Sequence, residues 1–331
     1  MTPESGSAAR RIGRLRTPAK INLGLRLTGR RPDGYHLLES LFVPIDLHDE
    51  VELEWLPGPD RSELRMSTDP GSELPAALQA TAIGSDNLVV RAAEAFRRAS
   101  GLEGYLRLRL RKAIAAGAGL GGGSSDAGAV LRLLVSLAGD RSPGSEAISR
   151  LALELGADVP FFLEPGPALV TGIGEQISPV EGLPGLELVL ANPGISVATA
   201  EVYRVADALA DSLTPGGAGS TMRAISRLQG ESGDRLSALG DLLENDLQPA
   251  AIRLCPPIGR LIARMRELGA VAASMSGSGA TVFGVFDSAE AAAKAARELH
   301  SSSSSQEIWV RRTRTLARRE VDRISWGVAK W

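Results

Sequence analysis

Between Ala116 and Asp126 the chain reads Ala116-Gly117-Ala118-Gly119-Leu120-Gly121-Gly122-Gly123-Ser124-Ser125-Asp126, then runs directly into an apolar helical pattern over Ala127 to Ala138. Five of the seven residues from Gly117 to Gly123 are glycine. Each costs backbone entropy, and the cost has a use only where the chain must bend sharply or approach a ligand closely. At the start of a helix that ligand is an anion, because the first N–H groups lack partners and the helix dipole presents its positive end. Ser124 and Ser125 add hydroxyls that can cap the helix, touch phosphate oxygens or hold a metal ion. A flexible linker is the competing reading, but linkers seldom lead straight into a long apolar helix.

Spacing separates the possible phosphate loops. A Walker-type loop ends in Gly-Lys-Ser/Thr, and this one ends in Gly-Ser-Ser without the lysine. Gly117, Gly119 and Gly122 fit the dinucleotide fingerprint, and Asp140 lies near the distance at which that fold places its acid. The first strand of a dinucleotide fold is buried on both faces, however, and Leu106-Arg107-Leu108-Arg109-Leu110-Arg111 alternates as a half-exposed strand does.

Periodicity supplies the elements that must hold the loop. Ile21, Leu23, Leu25 and Leu27 alternate with polar or small residues in one strand, with Lys20 at its leading end. Val51, Leu53 and Trp55 alternate with glutamates in another. Helices are expected from Asp86-Asn87 onward, and over Ser145 to Leu155, Pro257 to Leu268 and Ser288 to Leu299. Gly269 would be a left-handed cap. Strands near Leu186 to Ala191, Thr281 to Phe286 and Glu307 to Arg311 complete the second half. The Gly-, Pro- and Ser-rich stretches Pro57 to Glu73 and Leu213 to Thr221, and the serine run Ser301 to Ser305, read as surface loops.

Gly117 to Asp126 resembles the phosphate loop of the GHMP kinases, the family named for galactokinase, homoserine kinase, mevalonate kinase and phosphomevalonate kinase. Further segments resemble a branch of that family whose acceptor carries a cytidine diphosphate. They are Thr17-Pro18-Ala19-Lys20-Ile21-Asn22-Leu23, continuing to Gly29-Arg30-Arg31-Pro32-Asp33-Gly34-Tyr35-His36; Leu155-Gly156-Ala157-Asp158-Val159-Pro160-Phe161-Phe162; and Met275-Ser276-Gly277-Ser278-Gly279-Ala280-Thr281-Val282-Phe283. Together, in the expected order, they are far more specific than any one alone.

The resemblance implies an α+β fold of two lobes with the active site between them. Residues 1–167 would form an ATP-binding lobe like the second domain of ribosomal protein S5, with 1–16 a disordered extension. Residues 168–331 would form a substrate lobe with a ferredoxin-like layer. The implied reaction is ATP-dependent phosphorylation of the 2-hydroxyl of 4-(cytidine 5′-diphospho)-2-C-methyl-D-erythritol, in the non-mevalonate route to isoprenoid precursors, with Mg²⁺ expected beside ATP. Homoserine- or mevalonate-type kinases and a non-catalytic nucleotide-binding protein are the rival readings.

Phosphoryl transfer needs the γ-phosphate, an attacking hydroxyl and a leaving oxygen held in line while charge is neutralised. Asp158, among Leu155, Val159, Phe161 and Phe162, is the expected base, and Pro160 stops a helix from running through it. A carboxylate in such surroundings needs a partner, and Lys20 is expected to be that partner. Family position assigns Tyr35 and Tyr203 to stacking on the cytosine ring, His36 to its polar edge, and Thr199 to the neighbourhood of the same substrate. Only three tyrosines occur in the chain, so two at these positions carry weight. Asn22, two residues along the strand from Lys20, shares its face and its substrate. Asn87 falls near the adenine by resemblance, with helix capping as the competing explanation. Ser124 or Ser125 would contact Mg²⁺. Ser276-Gly277-Ser278-Gly279 precedes a strand, so it is expected to approach the substrate or the glycine loop by close backbone packing.

Composition narrows the class. A chain of 331 residues, 44% hydrophobic, can fill the cores of two domains. A net charge of −2 and a pI near 6.1 argue against nucleic acid or an anionic membrane as the main partner. The single cysteine, Cys255, cannot form an internal disulfide, and neither His48 nor His300 has zinc-ligand neighbours. A cytoplasmic enzyme of small molecules, monomeric or weakly dimeric, is expected.

Overall fold

The computed structural model describes residues 10–79, 84–209, 220–230, 235–301 and 308–328. Two long strands, β1 (Arg11–Arg30) and β2 (His36–Leu56), form its spine. They are joined through a tight turn in which Gly34 adopts a φ of 92°. Their antiparallel register shifts at Pro18/Ala19 and again at Leu23/Leu25. Proline cannot donate to a ladder, and a bulge re-aims the residues beside it. Lys20 follows directly after the first shift.

Strands β3 (Arg61–Thr68) and β4 (Tyr105–Lys112), the hairpin β5 (Ala168–Gly172) and β6 (Gln176–Pro179), and the late strand β11 (Ser325–Val328) complete the first sheet. Its main path runs β11-β1-β2-β4-β3, with β5 on β2 and β6 on β5. After the short α1 (Ala76–Gln79), helices α2 (Leu88–Ser100), α3 (Gly122–Ala138) and α4 (Ser145–Leu155) pack on this lobe. Their apolar stripes meet the inward residues Leu15, Val51, Leu53, Leu106, Leu108 and Leu110. The expected alternation of residues 106–111 is the β4 pattern.

The second sheet has the antiparallel order β10-β7-β9-β8, from β7 (Glu187–Asn192), β8 (Ala272–Met275), β9 (Val282–Phe286) and β10 (Trp309–Arg314). Helices α5 (Thr199–Ala208), α6 (Ser220–Gln229), α7 (Arg235–Leu242), α8 (Gln248–Leu254), α9 (Pro257–Glu267) and α10 (Ala289–Ser301) complete the chain. Ile21, Leu41 and Val43 of the first sheet share one apolar cluster with Leu188, Leu190 and Phe283 of the second. The two sheets therefore meet through a common core that fixes the cleft geometry. Gly269 has a φ of 89°, the expected left-handed cap.

Some expectations need correction. Residues 11–16 are not an extension: they are the first third of β1, paired with β2 throughout and with β11 over Arg11 to Arg14. Pro57 to Glu73 is not all loop, because Arg61–Thr68 runs parallel to β4 as the edge strand of the sheet. An edge strand buries little, and flanking Pro and Gly dominate its local signal. The chain also stays in the first sheet beyond Pro167, since β5 and β6 extend it to Pro179. Residues 1–9 and most of the serine run and of Leu213 to Thr221 lie outside the described residues. Among the described residues no helix is long and apolar enough to cross a membrane.

Candidate active site

The glycine loop lies between the end of β4 and the start of α3. Gly117, Gly119 and Gly121 have φ values of 60°, 78° and 71°, alternating with Ala118 and Leu120. This alternation turns successive N–H groups toward one side, the geometry of an anion-binding nest. The carbonyls are held elsewhere. Gly117 O accepts from Ser196 Oγ at 3.3 Å, Ala118 O from Thr281 N at 3.3 Å, Gly119 O from Ser276 Oγ at 2.9 Å and Leu120 O from Lys20 N at 3.0 Å. By contrast, the N–H groups from Gly117 to Ser124 make no hydrogen bond among the described residues. The expected close packing of Ser276 is present: a Cβ on Gly119 would lie 2.2 Å from its carbonyl oxygen.

The Lys20–Leu120 backbone bond ties β1 to the loop, so the Lys20 side chain runs past Gly121, whose Cβ position is 3.1 Å from Lys20 Cγ. Lys20 is buried. Its Nζ lies 3.4 Å from Asp158 Oδ2, donates to Asn22 Oδ1, and sits 4.6 Å from the centre of the Phe42 ring. Asn22 is fixed in turn by Ser40 Oγ, which accepts from its Nδ2 at 2.9 Å. Asn22 thus shares the face of Lys20, as its place along the strand predicts.

Asp158 follows α4 in a turn closed by Val159 N on Gly156 O at 3.0 Å, and Pro160 opens the next short 3₁₀ turn. Its side chain is 32% exposed, more open than its apolar neighbours suggested. Phe161 and Phe162 pack with Phe42 behind it. Gly128 permits this approach: a Cβ there would lie 2.6 Å from Phe162 Cβ. Gly128 is thus a packing contact between α3 and Phe162, in the short turn that follows Asp158.

Across the cleft, Thr199 and Tyr203 lie on α5. Thr199 Oγ1 is 2.8 Å from Ser278 Oγ. Burial, and then the Asp158 carboxylate, push the Tyr203 phenol up to about 12, so it stays neutral at physiological pH. The His36 ring lies 4.9 Å from the Tyr203 ring, and His36 Nε2 is 2.6 Å from Asp207 Oδ1. Asp207 was not anticipated, although it stands four residues after Tyr203 and so on the same helical face. Tyr35, expected to stack on the cytosine ring, is 61% exposed on the hairpin tip, and it is His36 that lies against the Tyr203 ring. A cleft of about 240 Å³ is lined by Asn22, Gly117, Gly119, Asp158, Thr199 and Tyr203, among others. Wider hollows of about 610 and 1040 Å³, on the outer face of the first sheet and between α3, α4 and the β5–β6 hairpin, border neither the glycine loop nor Lys20 and Asp158.

Three expected ligand groups are occupied by the protein itself. Ser125 Oγ donates to Pro18 O at 2.6 Å. The Asp126 carboxylate is buried and accepts from Lys112 Nζ at 2.7 Å. Asn87 is the N-cap of α2, its Oδ1 accepting from Val89 N at 2.9 Å. The causes are local: the inward face of α3 carries Ser125 and Asp126 to the sheet, and the capping position fixes Asn87. Ser124 remains partly exposed. No group of three or more His, Cys, Asp or Glu able to hold a metal occurs among the described residues.

Comparison with known proteins places the chain in a family. Residues 87–166 match the GHMP kinases N terminal domain and residues 222–304 the GHMP kinases C terminal domain. The chain is 42% identical over 290 residues to a 4-diphosphocytidyl-2-C-methyl-D-erythritol kinase of Granulibacter bethesdensis, covering 86% of this chain and 89% of that one. It is 40% identical over 317 residues to the enzyme of the same name from an Anaeromyxobacter species, covering 95% and 93%. A crystal structure of 4-(cytidine 5′-diphospho)-2C-methyl-D-erythritol kinase superimposes with a TM-score of 0.69 at 34% identity, over 92% of this chain and 100% of that one. The chain belongs to the GHMP kinase family, in its 4-diphosphocytidyl-2-C-methyl-D-erythritol kinase branch.

Proposed function

We propose that this protein transfers the γ-phosphoryl group of ATP to the 2-hydroxyl of 4-(cytidine 5′-diphospho)-2-C-methyl-D-erythritol, a step of the non-mevalonate route to isoprenoid precursors. The observation that carries the reading is the row of bare amides from Gly117 to Ser124 with Lys20 and Asp158 beside it. Such a row neutralises phosphate charge without reorganising as the reaction proceeds.

Asp158 accepts the proton of the attacking hydroxyl as its oxygen bonds to the γ-phosphorus, and the bond from that phosphorus to the ADP oxygen breaks. Lys20, 3.4 Å from the Asp158 carboxylate, orients that group and stabilises negative charge on the transferring group. Its burial, with Asn22 and Phe42 around it, limits the ways the ammonium can point. Tyr203, His36, Thr199 and Asn22 hold the cytidylated acceptor, and Tyr35 folds onto the base from the hairpin tip.

Mg²⁺ fits this site as an ion held chiefly by the phosphates. With Ser125 and Asp126 already bonded within the protein, Ser124 is the side chain of the loop that would reach it. When bound it supplies further neutralisation of phosphate charge.

The test is ADP release measured with the cytidylated acceptor, homoserine and mevalonate side by side. Turnover with the first alone is the expected result. Preference for homoserine or mevalonate would replace the acceptor assignment, and ATP binding without turnover on any of the three would remove the catalytic one.

A further inference from the structure

Lys112 is the last residue of β4, and its Nζ donates to Asp126 Oδ2 at 2.7 Å and to Asp49 Oδ2. Asp49 Oδ1 accepts from the N–H groups of Ala113 at 2.6 Å and Ile114 at 2.9 Å. All three charged side chains are buried. Lys112 and Asp126 stand 14 residues apart, and the whole glycine loop lies between them. The ammonium also lies beneath the first residue of α3: a Cβ on Gly122 would be 3.3 Å from Lys112 Nζ and 2.8 Å from Ile114 Cγ2.

Charge balance does not call for Asp126. Asp49 alone neutralises Lys112 and also satisfies two backbone N–H groups at the loop entrance. Asp126 brings a second carboxylate into the same buried space, and its Oδ1 has no hydrogen-bond partner among the described residues. A buried charge with an unmatched oxygen costs stability. Its return is geometric: the Lys112–Asp126 bond clasps the end of β4 to the second turn of α3 and so fixes the span the loop must bridge.

We propose that Lys112, Asp49 and Asp126 are positioning residues for the phosphate loop, holding its two ends at the separation that aims the bare amides at the ATP phosphates. The proposal rests on the kinase reading above and deepens it. None of the three touches substrate in this account; they act through the loop.

The experiment compares wild-type protein with Asp126→Ala and Asp126→Asn, measuring KM for ATP, KM for the cytidylated acceptor, kcat and melting temperature. Asp126→Ala leaves a balanced Lys112–Asp49 pair, so its melting temperature should hold or rise. Its KM for ATP should rise about tenfold, the effect expected of one ordinary hydrogen bond. Its kcat at saturating ATP and its acceptor KM should change by less than about twofold, as for loss of a ground-state contact. Asp126→Asn keeps an oxygen for Lys112 and should restore the ATP KM to near wild type. A lowered melting temperature with unchanged ATP KM would make the cluster merely structural and overturn the proposal, as would equal changes in both KM values. Wild-type protein without ATP-dependent turnover would overturn the kinase reading and the clasp together, whereas active wild type with an unaltered Ala variant removes the clasp alone.

Discussion

Lys20 Nζ lies 3.4 Å from Asp158 Oδ2, although one residue follows a strand bulge near the start of the chain and the other follows the fourth helix. The pair exists because β1 is bonded to Leu120 and the Asp158 turn is packed onto Gly128, so both charged groups are referred to the same helix start. Asp158→Asn should lower kcat by about 10²- to 10⁴-fold, the usual worth of a positioned base. The melting temperature should stay close to wild type, because the side chain is partly exposed. Near-native turnover in a folded Asp158→Asn protein would remove the base assignment.

Gly119 has the tightest contact in the loop: an added Cβ would lie 2.2 Å from the Ser276 carbonyl oxygen, at a φ of 78°. That neighbour is backbone and cannot swing away. Gly119→Ala must therefore shift the loop against the second lobe, and misplacement by about 1 Å can cost about a hundredfold in rate. Steady-state kinetics should show the loss chiefly in kcat/KM for ATP. Gly139→Ala, whose Cβ would meet nothing within 4 Å, is the control for a positive-φ glycine outside the site.

The loop and Asp158 were legible because each needs residue types that are hard to explain otherwise: glycines at positive φ, and a carboxylate two residues before a proline among apolar neighbours. The clustering of Ser276 against the loop was legible as a motif without a helix to serve. Residues whose partners come from distant chain were not. Nothing local marks Asp207 as the group that meets His36, and Lys112 reads as one more cation on an alternating strand until Asp49 and Asp126 surround it. The inward turn of Ser125 and Asp126 is not legible either, because sequence gives their place in a motif but not which way a helix turns them. Strand β3 was lost for the related reason that an edge strand is specified by its neighbour more than by its own residues.

His36 and Tyr203 supply a prediction for the acceptor end. A carboxylate only accepts, so the contact with Asp207 requires a proton on His36 Nε2 and fixes the orientation of the ring beside Tyr203. Asp207→Ala should raise KM for the cytidylated acceptor and leave KM for ATP unchanged. Tyr203→Ala should weaken acceptor binding by about 1–3 kcal/mol, the range for loss of a base-stacking aromatic. Tyr203→Phe keeps the ring and should bind nearly as wild type. Isothermal titration with the acceptor distinguishes these, and equal losses in the Phe and Ala variants would refute a stacking role.

Asp126 makes the stability of the protein depend on pH in a stated direction. Burial, the largest influence, pushes its carboxyl well above the ordinary value of 3.8; Lys112 opposes the shift and Asp49 reinforces it. A raised value means the folded state holds the proton more tightly than the unfolded chain. The resulting contribution is therefore complete below the unfolded value and is lost as pH rises through the folded one. Asp126→Asn cannot titrate, so its stability relative to wild type should improve as pH rises from about 4 and then level off above the folded value. Melting temperatures of the two proteins measured from about pH 4 to pH 8 give the comparison directly. A constant gap across that range would mean that Asp126 titrates alike in the folded and unfolded chain, and that the second carboxylate is carried by Lys112 without penalty.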